Sequence, residues 1–258
     1  MTDKLLIEIK GHTALITINN PAANTWDAEN LTALRDLIGE LNVNDDIYSL
    51  VITGAGEKFF SAGADLKMFA SGDPEVARDL ANKFGAAFEA LASFRGVSIA
   101  AINGYAMGGG LECAMACDIR IAEAQAIMAL PEATVGLLPA GLGTQHLSWI
   151  VGEGWAKRMI LCGERVDAAT AARIGLVEEV VDMGESVAAA LAMAAKVEAQ
   201  SPTSVSACKR LIQAARSGNM TDAYEAERDA FVQLFGTQDQ AEGVNAFLEK
   251  RKPQWTNS

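Results

Sequence analysis

The chain has 258 residues, half of them apolar and 21% charged, enough to bury one full core and too apolar for a disordered segment. Its net charge of −12 repels polyphosphate backbones and anionic lipid surfaces, so neither nucleic acid nor a membrane is an expected partner. The first ten residues, MTDKLLIEIK, carry no apolar signal core, and no uninterrupted apolar stretch reaches the about 20 residues of a membrane span, so a cytoplasmic protein is expected.

In chain order, residues 5–9 and 13–18 read as two short strands joined at Gly11-His12 as a hairpin. Residues 27–41 place apolar side chains at helical spacing behind Asp27, an N-cap. A buried strand follows at 50–53 and a turn at 54–58. Residues 73–94 read as a helix with Pro74 in its first turn, and 98–102 as another buried strand. Gly108-Gly109-Gly110 opens a short helix through Ala116, and strands resume at 118–121 and 176–181. Strands separated by helices imply parallel pairing in an α/β architecture. From about Val187 the pattern is helical, with starts at Ser201-Pro202, Thr221 and Thr237, and this tail is expected to pack on the core or on another subunit.

Little conventional site chemistry is available. Cys113, Cys117, Cys162 and Cys208 have no paired spacing and are expected to be free thiols. His12 and His146 lie far apart, which speaks against a zinc site and against a Ser-His-Asp triad. Two segments carry the chemistry instead: Phe60-Ser-Ala-Gly-Ala-Asp65 and Asn103-Gly-Tyr-Ala-Met-Gly-Gly-Gly-Leu-Glu112. A glycine-rich helix start lets a ligand approach unpaired N–H groups at the positive end of the dipole, which suits a developing negative charge, although a plain packed turn has the same composition. Glu112 lies one helical turn beyond Gly109 in an otherwise apolar stretch. Glu132 follows Pro131 in Ala126-Ile-Met-Ala-Leu-Pro-Glu-Ala-Thr-Val, again an apolar setting. Two acids in one dry pocket would couple, one holding a proton while the other stays ionised. That state can give a proton to one carbon and take one from water.

Ser61 to Asp65, Asn103 to Glu112 and Pro131-Glu132 resemble the signatures of the crotonase superfamily, the enoyl-CoA hydratase/isomerase family. The resemblance extends downstream through Gly136-Leu-Leu-Pro-Ala-Gly-Leu-Gly-Thr-Gln-His-Leu147 and the tail from Ala241 to Lys252. It implies a crotonase-like α/β spiral of ββα turns over residues 1–195, a helical C-terminal region over 196–258 for oligomerisation and CoA contact, and a homotrimer or homohexamer. By position, Ala64 and Gly109 match the backbone N–H pair of an oxyanion hole, and Glu112 and Glu132 match the two catalytic glutamates of hydratases. Glu112 is then implied to activate water and Glu132 to handle the α-carbon proton. Ala62, Asp65, Lys67, Ala140, Phe247 and Lys250 match substrate- or CoA-contacting positions, the last two lent by a neighbouring subunit. The implied activity is reversible addition of water to a trans-2-enoyl-CoA, giving a 3-hydroxyacyl-CoA, with CoA carried on the substrate and no metal or separate cofactor. An enoyl-CoA isomerase, a hydratase of an atypical acyl group and a non-catalytic CoA-binding subunit stay open as alternatives.

Three departures from the family pattern bear on the acyl group. Ala140-Gly141-Leu142-Gly143 stands where a run of glycines is common, and Leu142 is expected to add bulk near the acyl pocket. Trp26, in Pro21-Ala-Ala-Asn-Thr-Trp26, is expected either to fill space near the thioester or simply to pack. His146 replaces a frequent arginine and is expected to be structural.

Overall fold

Residues 2–258 are described by the structure, a computed structural model. The chain opens with the expected hairpin, β1 (Leu5–Lys10) and β2 (Thr13–Ile18), paired antiparallel from Leu5↔Ile18 to Lys10↔Thr13. Helix α1 (Ala28–Asn42) starts behind Asp27, whose carboxylate accepts from the Glu29 and Asn30 N–H groups while the Asn30 side chain accepts from the Asp27 N–H. That reciprocal pair closes a capping box.

A strand–strand–helix unit then repeats three times. The first is β3 (Ser49–Gly54), β4 (Phe59–Ser61) and α2 (Pro74–Ala92), with Asp73 as N-cap and Pro74 in the first turn. The second is β5 (Val97–Ile102), β6 (Tyr105–Met107) and α3 (Gly109–Ala116). The third is β7 (Ile119–Glu123), β8 (Ile127–Ala129) and α4 (Gly143–Leu161), which bends at Gly152. The chain continues through β9 (Val166–Asp167), α5 (Ala168–Arg173), β10 (Glu179–Val181) and α6 (Ser186–Glu198). Helices α7 (Pro202–Ala214), α8 (Met220–Leu234) and α9 (Gln238–Glu249) form the C-terminal region.

The first strand of each unit joins a six-stranded sheet, β1-β2-β3-β5-β7-β10, and the second joins a four-stranded sheet, β4-β6-β8-β9. Pairing between successive units is parallel, β3 to β5 to β7 and β4 to β6 to β8. Each unit thus advances the chain by one strand in both sheets, which is the expected spiral of ββα turns. Both faces of the large sheet are covered. Leu50 and Ile52 of β3 face the main core with Phe84, Phe88 and Leu91 of α2, while Val51, Ile99 and Ile121 face a second cluster closed by Ala190 and Ala194 of α6. Burial on both faces is why these strands read as continuous apolar runs.

The expected strand at 176–181 is shortened to β10. Leu176 and Val177 are buried, but their N–H groups return to the Ala171 carbonyl and close the end of α5 past Gly175, whose φ is +77°. Helix α8 begins one residue before Thr221, because the Asn219 side chain accepts from the Asp222 N–H and is the cap. The boundary expected at residue 195 falls inside α6. The tail is tied down by Lys209, whose ammonium donates to the Phe94 and Gly96 carbonyls and pairs with Asp118 at 2.7 Å.

Candidate active site

The two loaded segments meet where the spiral turns stack. After β4 the chain runs extended beside Trp26: the Trp26 N–H donates to the Gly63 carbonyl at 2.8 Å, and the Asp65 N–H donates to the Trp26 carbonyl at 2.9 Å. Successive N–H groups of an extended chain point to opposite sides. That of Ala64, between the two bonded residues, therefore faces away from Trp26, toward the cavity that Ala64 lines. The second segment arrives at α3. Gly108 has φ 52° and ψ −126°, a conformation open essentially to glycine alone, and it turns the chain from β6 directly into the helix. Gly109 is the first residue of α3, so its N–H has no partner within the helix. A β-carbon on Gly63 would lie 3.1 Å from the Gly109 nitrogen, which puts the two segments in backbone contact.

Glu112 projects from the first turn of α3 and is 3% exposed. Its Oε1 accepts from the Gly141 and Gly143 N–H groups, each at 2.8 Å. Burial pushes its carboxyl up to about 7, the Gly143 N–H opposes that rise, the Glu132 charge adds to it, and the Gly141 N–H opposes it. Glu132 heads a 3₁₀ turn, Glu132–Val135, directly after Pro131. Its Oε2 is enclosed with no hydrogen-bond partner among the described residues, and a β-carbon on Gly108 would stand 2.9 Å from its Oε1. Burial raises its carboxyl above the ordinary glutamate value, with a bond to its own backbone opposing.

Both glutamates, Ala64 and Gly109 line one cavity of about 230 Å³. Ala62 and Ala140 line it too. Phe84 of α2 is a wall that sequence reading did not identify, and its mouth is apolar, with Leu66, Val135, Leu137 and Leu138 all at least 40% exposed. Two N–H groups without a partner among the described residues, sharing an apolar cavity with two acids, can polarise an oxygen and move protons beside it.

The remaining expected site residues stand elsewhere. The Asp65 side chain accepts from the Lys67 N–H and caps the following turn, and Lys67 is exposed outside the cavity lining. Phe247 is 82% exposed on α9 and Lys250 ends that helix, so neither reaches the cavity of its own chain. Arg251 forks onto Glu242, leaving Lys250 and Lys252 of the basic run with no carboxylate in ion-pair range among the described residues.

Leu142 does not add bulk to the pocket: it precedes α4 with φ 80° and packs on the main core instead. The backbone turn it makes is what aims the Gly141 and Gly143 N–H groups at Glu112. His146 is structural, its Nδ1 donating to the Met115 carbonyl at 3.0 Å and tying α4 to the end of α3. Trp26 is wholly buried beside the site, with its ring edge-on to Phe88 at 5.6 Å. All four cysteines are free thiols, and burial of Cys117 in the core pushes it up to about 12.

The chain belongs to the enoyl-CoA hydratase/isomerase family, whose model matches residues 8–258. Among individual relatives, it is 37% identical to the short-chain-enoyl-CoA hydratase of Clostridium acetobutylicum, over 97% of this chain and 96% of that one. It is 36% identical to the crotonyl-CoA hydratase of Syntrophomonas wolfei, over 97% and 96%. Among solved structures, Pseudomonas aeruginosa DspI superposes with a TM-score of 0.96 at 68% identity, covering 98% of this chain and 97% of that one. The enoyl-CoA hydratase of Bacillus anthracis does so with a TM-score of 0.95 at 33% identity, covering 99% and 100%.

Proposed function

We propose that the chain is an enoyl-CoA hydratase that adds water reversibly across the double bond of a trans-2-enoyl-CoA. The observation that carries this reading is the pair of glutamates, buried Glu112 and half-buried Glu132, in one cavity with the backbone of Ala64 and Gly109, whose N–H groups have no partner among the described residues. Hydratase relatives matched over nearly the whole chain support the same reaction class.

In this mechanism the thioester carbonyl oxygen sits between the Ala64 and Gly109 N–H groups. Water attacks the β-carbon, the π electrons move toward the carbonyl, and the enolate-like charge is held by donors that need no reorganisation; losing one such donor typically costs about 3–4 kcal/mol. The two acids share one proton. Two N–H donors on Glu112 Oε1 favour the anion there, so Glu112 accepts the proton that water releases. The unpartnered Oε2 of Glu132 suits the protonated acid, which delivers its proton to the α-carbon. Proton exchange between the two restores the starting state. CoA enters and leaves as part of substrate and product, and no step calls for a separate cofactor.

The assembly belongs to the same proposal. Phe247 of α9 is exposed, Lys250 caps that helix, and Phe231, Phe235 and Leu248 are each more than 60% exposed, apolar surface that a second copy in a homotrimer or homohexamer would cover. Among the described residues no helix is long and apolar enough to cross a membrane.

Following the loss of enoyl absorbance of crotonyl-CoA tests the reaction. Wild type is expected to hydrate it, and Glu112→Gln and Glu132→Gln each to slow hydration by roughly 10²–10⁴-fold. Binding without hydration of any 2-enoyl thioester by the wild-type protein would overturn the hydratase reading.

A further inference from the structure

The two N–H donors come from different turns of the spiral, Ala64 from the segment after β4 and Gly109 from the start of α3. No short stretch of covalent chain fixes their separation. Trp26 touches both. Its main chain brackets Ala64, with the Trp26 N–H on the Gly63 carbonyl and the Asp65 N–H on the Trp26 carbonyl. Its indole lies against Gly109, where a β-carbon would stand 3.5 Å from the indole Cδ1. The ring also meets Phe88 edge-on, and Phe88 in turn lies so close to Gly141 that a β-carbon there would be 2.6 Å from its ring. Gly141 is one of the two N–H donors to Glu112.

Hydrogen bonding does not hold this side chain in place: it is wholly buried, and its Nε1 has no partner among the described residues. What the indole supplies is volume between the two donor segments. We propose that Trp26 is a positioning residue, fixing the spacing and direction of the Ala64 and Gly109 N–H groups relative to each other. The proposal rests on the reading of that pair as the oxyanion donors. Smaller residues at position 26 leave room under Gly109 for the start of α3 to settle inward, and donors misplaced by a fraction of an ångström polarise the thioester carbonyl less and stabilise the enolate-like charge less, while most of the binding to the rest of the substrate is kept.

The test compares Trp26→Phe, Trp26→Leu and Trp26→Ala by steady-state kinetics on crotonyl-CoA, by melting temperature, and by the infrared carbonyl band of bound ¹³C=O-labelled butyryl-CoA, a saturated thioester that cannot be hydrated. Bound wild type is expected to shift that band to lower frequency than in water. Trp26→Leu and Trp26→Ala should return it toward the free value and lower kcat roughly ten- to hundredfold, with KM changed far less. Trp26→Phe, which keeps an aromatic ring in the space, should retain most of both. A Trp26→Leu or Trp26→Ala protein that melts lower yet keeps the wild-type band and kcat would overturn the proposal, since Trp26 would then only pack. No band shift in wild type would instead defeat the two-donor reading itself, so the two failures are told apart.

Discussion

Glu112 is held between opposing demands. Burial favours its neutral form, while the Gly141 and Gly143 N–H groups favour its anion, and the outcome is a carboxyl at about 7 against an ordinary 4.5. A group that binds its proton more tightly folded than unfolded contributes most to stability below its unfolded value. That contribution is lost as pH rises from 4.5 through 7, by on the order of 3 kcal/mol for a shift of this size. Glu112→Gln is neutral at every pH and its amide oxygen can still accept from both glycines. It is expected to melt above wild type at pH 8 and to lose most of that advantage at pH 5, as thermal denaturation across this range would register. The same shift shapes catalysis. The working state holds one proton between Glu112 and Glu132, and burial raises both carboxyls. The kcat/KM profile for crotonyl-CoA is therefore expected to be bell-shaped, rising as the pair loses its first proton and falling as it loses the second, the midpoints belonging to the pair rather than to either residue. A flat profile from pH 5 to 9 would contradict a shared proton.

At the scale of elements, α3 is where fold and chemistry coincide, and its placement depends on close backbone contact. A β-carbon on Gly110 would lie 2.3 Å from the Ser61 carbonyl oxygen, so the helix packs directly on the end of β4, the strand that leads into Ala64. Gly110→Ala must push α3 off that strand. It is expected to destabilise the fold by about 1–3 kcal/mol and to lower kcat by at least about tenfold, measured by denaturant unfolding beside steady-state rates. Much of this element layer was legible in the sequence. The hairpin, α1, α2 and the two-sided strands β3 and β5 announce themselves through caps, turn glycines and apolar runs long enough to have a period. The strands of the small sheet do not, because three-residue segments such as 59–61, 105–107 and 127–129 are too short for alternation to register. At the site, Glu112 stood out as an acid in an apolar stretch, and Glu132 as a second one. The partners of Glu112 did not, since Gly141 and Gly143 lie 29 and 31 residues away and only the spiral brings them to it. Leu142 misled for the same reason: its backbone angle, not its side chain, serves the site.

At the scale of the whole molecule, the single chain leaves a catalytic cavity with its mouth open and a tail whose chemistry points outward. Phe247 is 82% exposed, and Lys250, at the end of α9, has no carboxylate in ion-pair range among the described residues, while Arg251 engages both Glu242 and Glu249. A chain of charge −12 that takes a polyanionic CoA thioester gains from a cation supplied across an interface. If the tail serves a neighbour's site, then a subunit with a damaged tail and a subunit with a damaged acid can repair each other. Glu112→Gln destroys its own site but offers an intact Phe247 and Lys250, while the Phe247→Ala, Lys250→Ala double variant keeps its acids and is expected to raise KM for crotonyl-CoA by roughly tenfold or more. Unfolded and refolded together, the two should assemble mixed oligomers in which some sites pair wild-type acids with a wild-type tail. Those sites should recover the wild-type KM, giving the mixture more activity at low substrate than the average of the two proteins refolded apart. Activity equal to that average, in mixtures that mass measurement confirms to be hybrid, would assign Phe247 and Lys250 to their own chain or to no site at all.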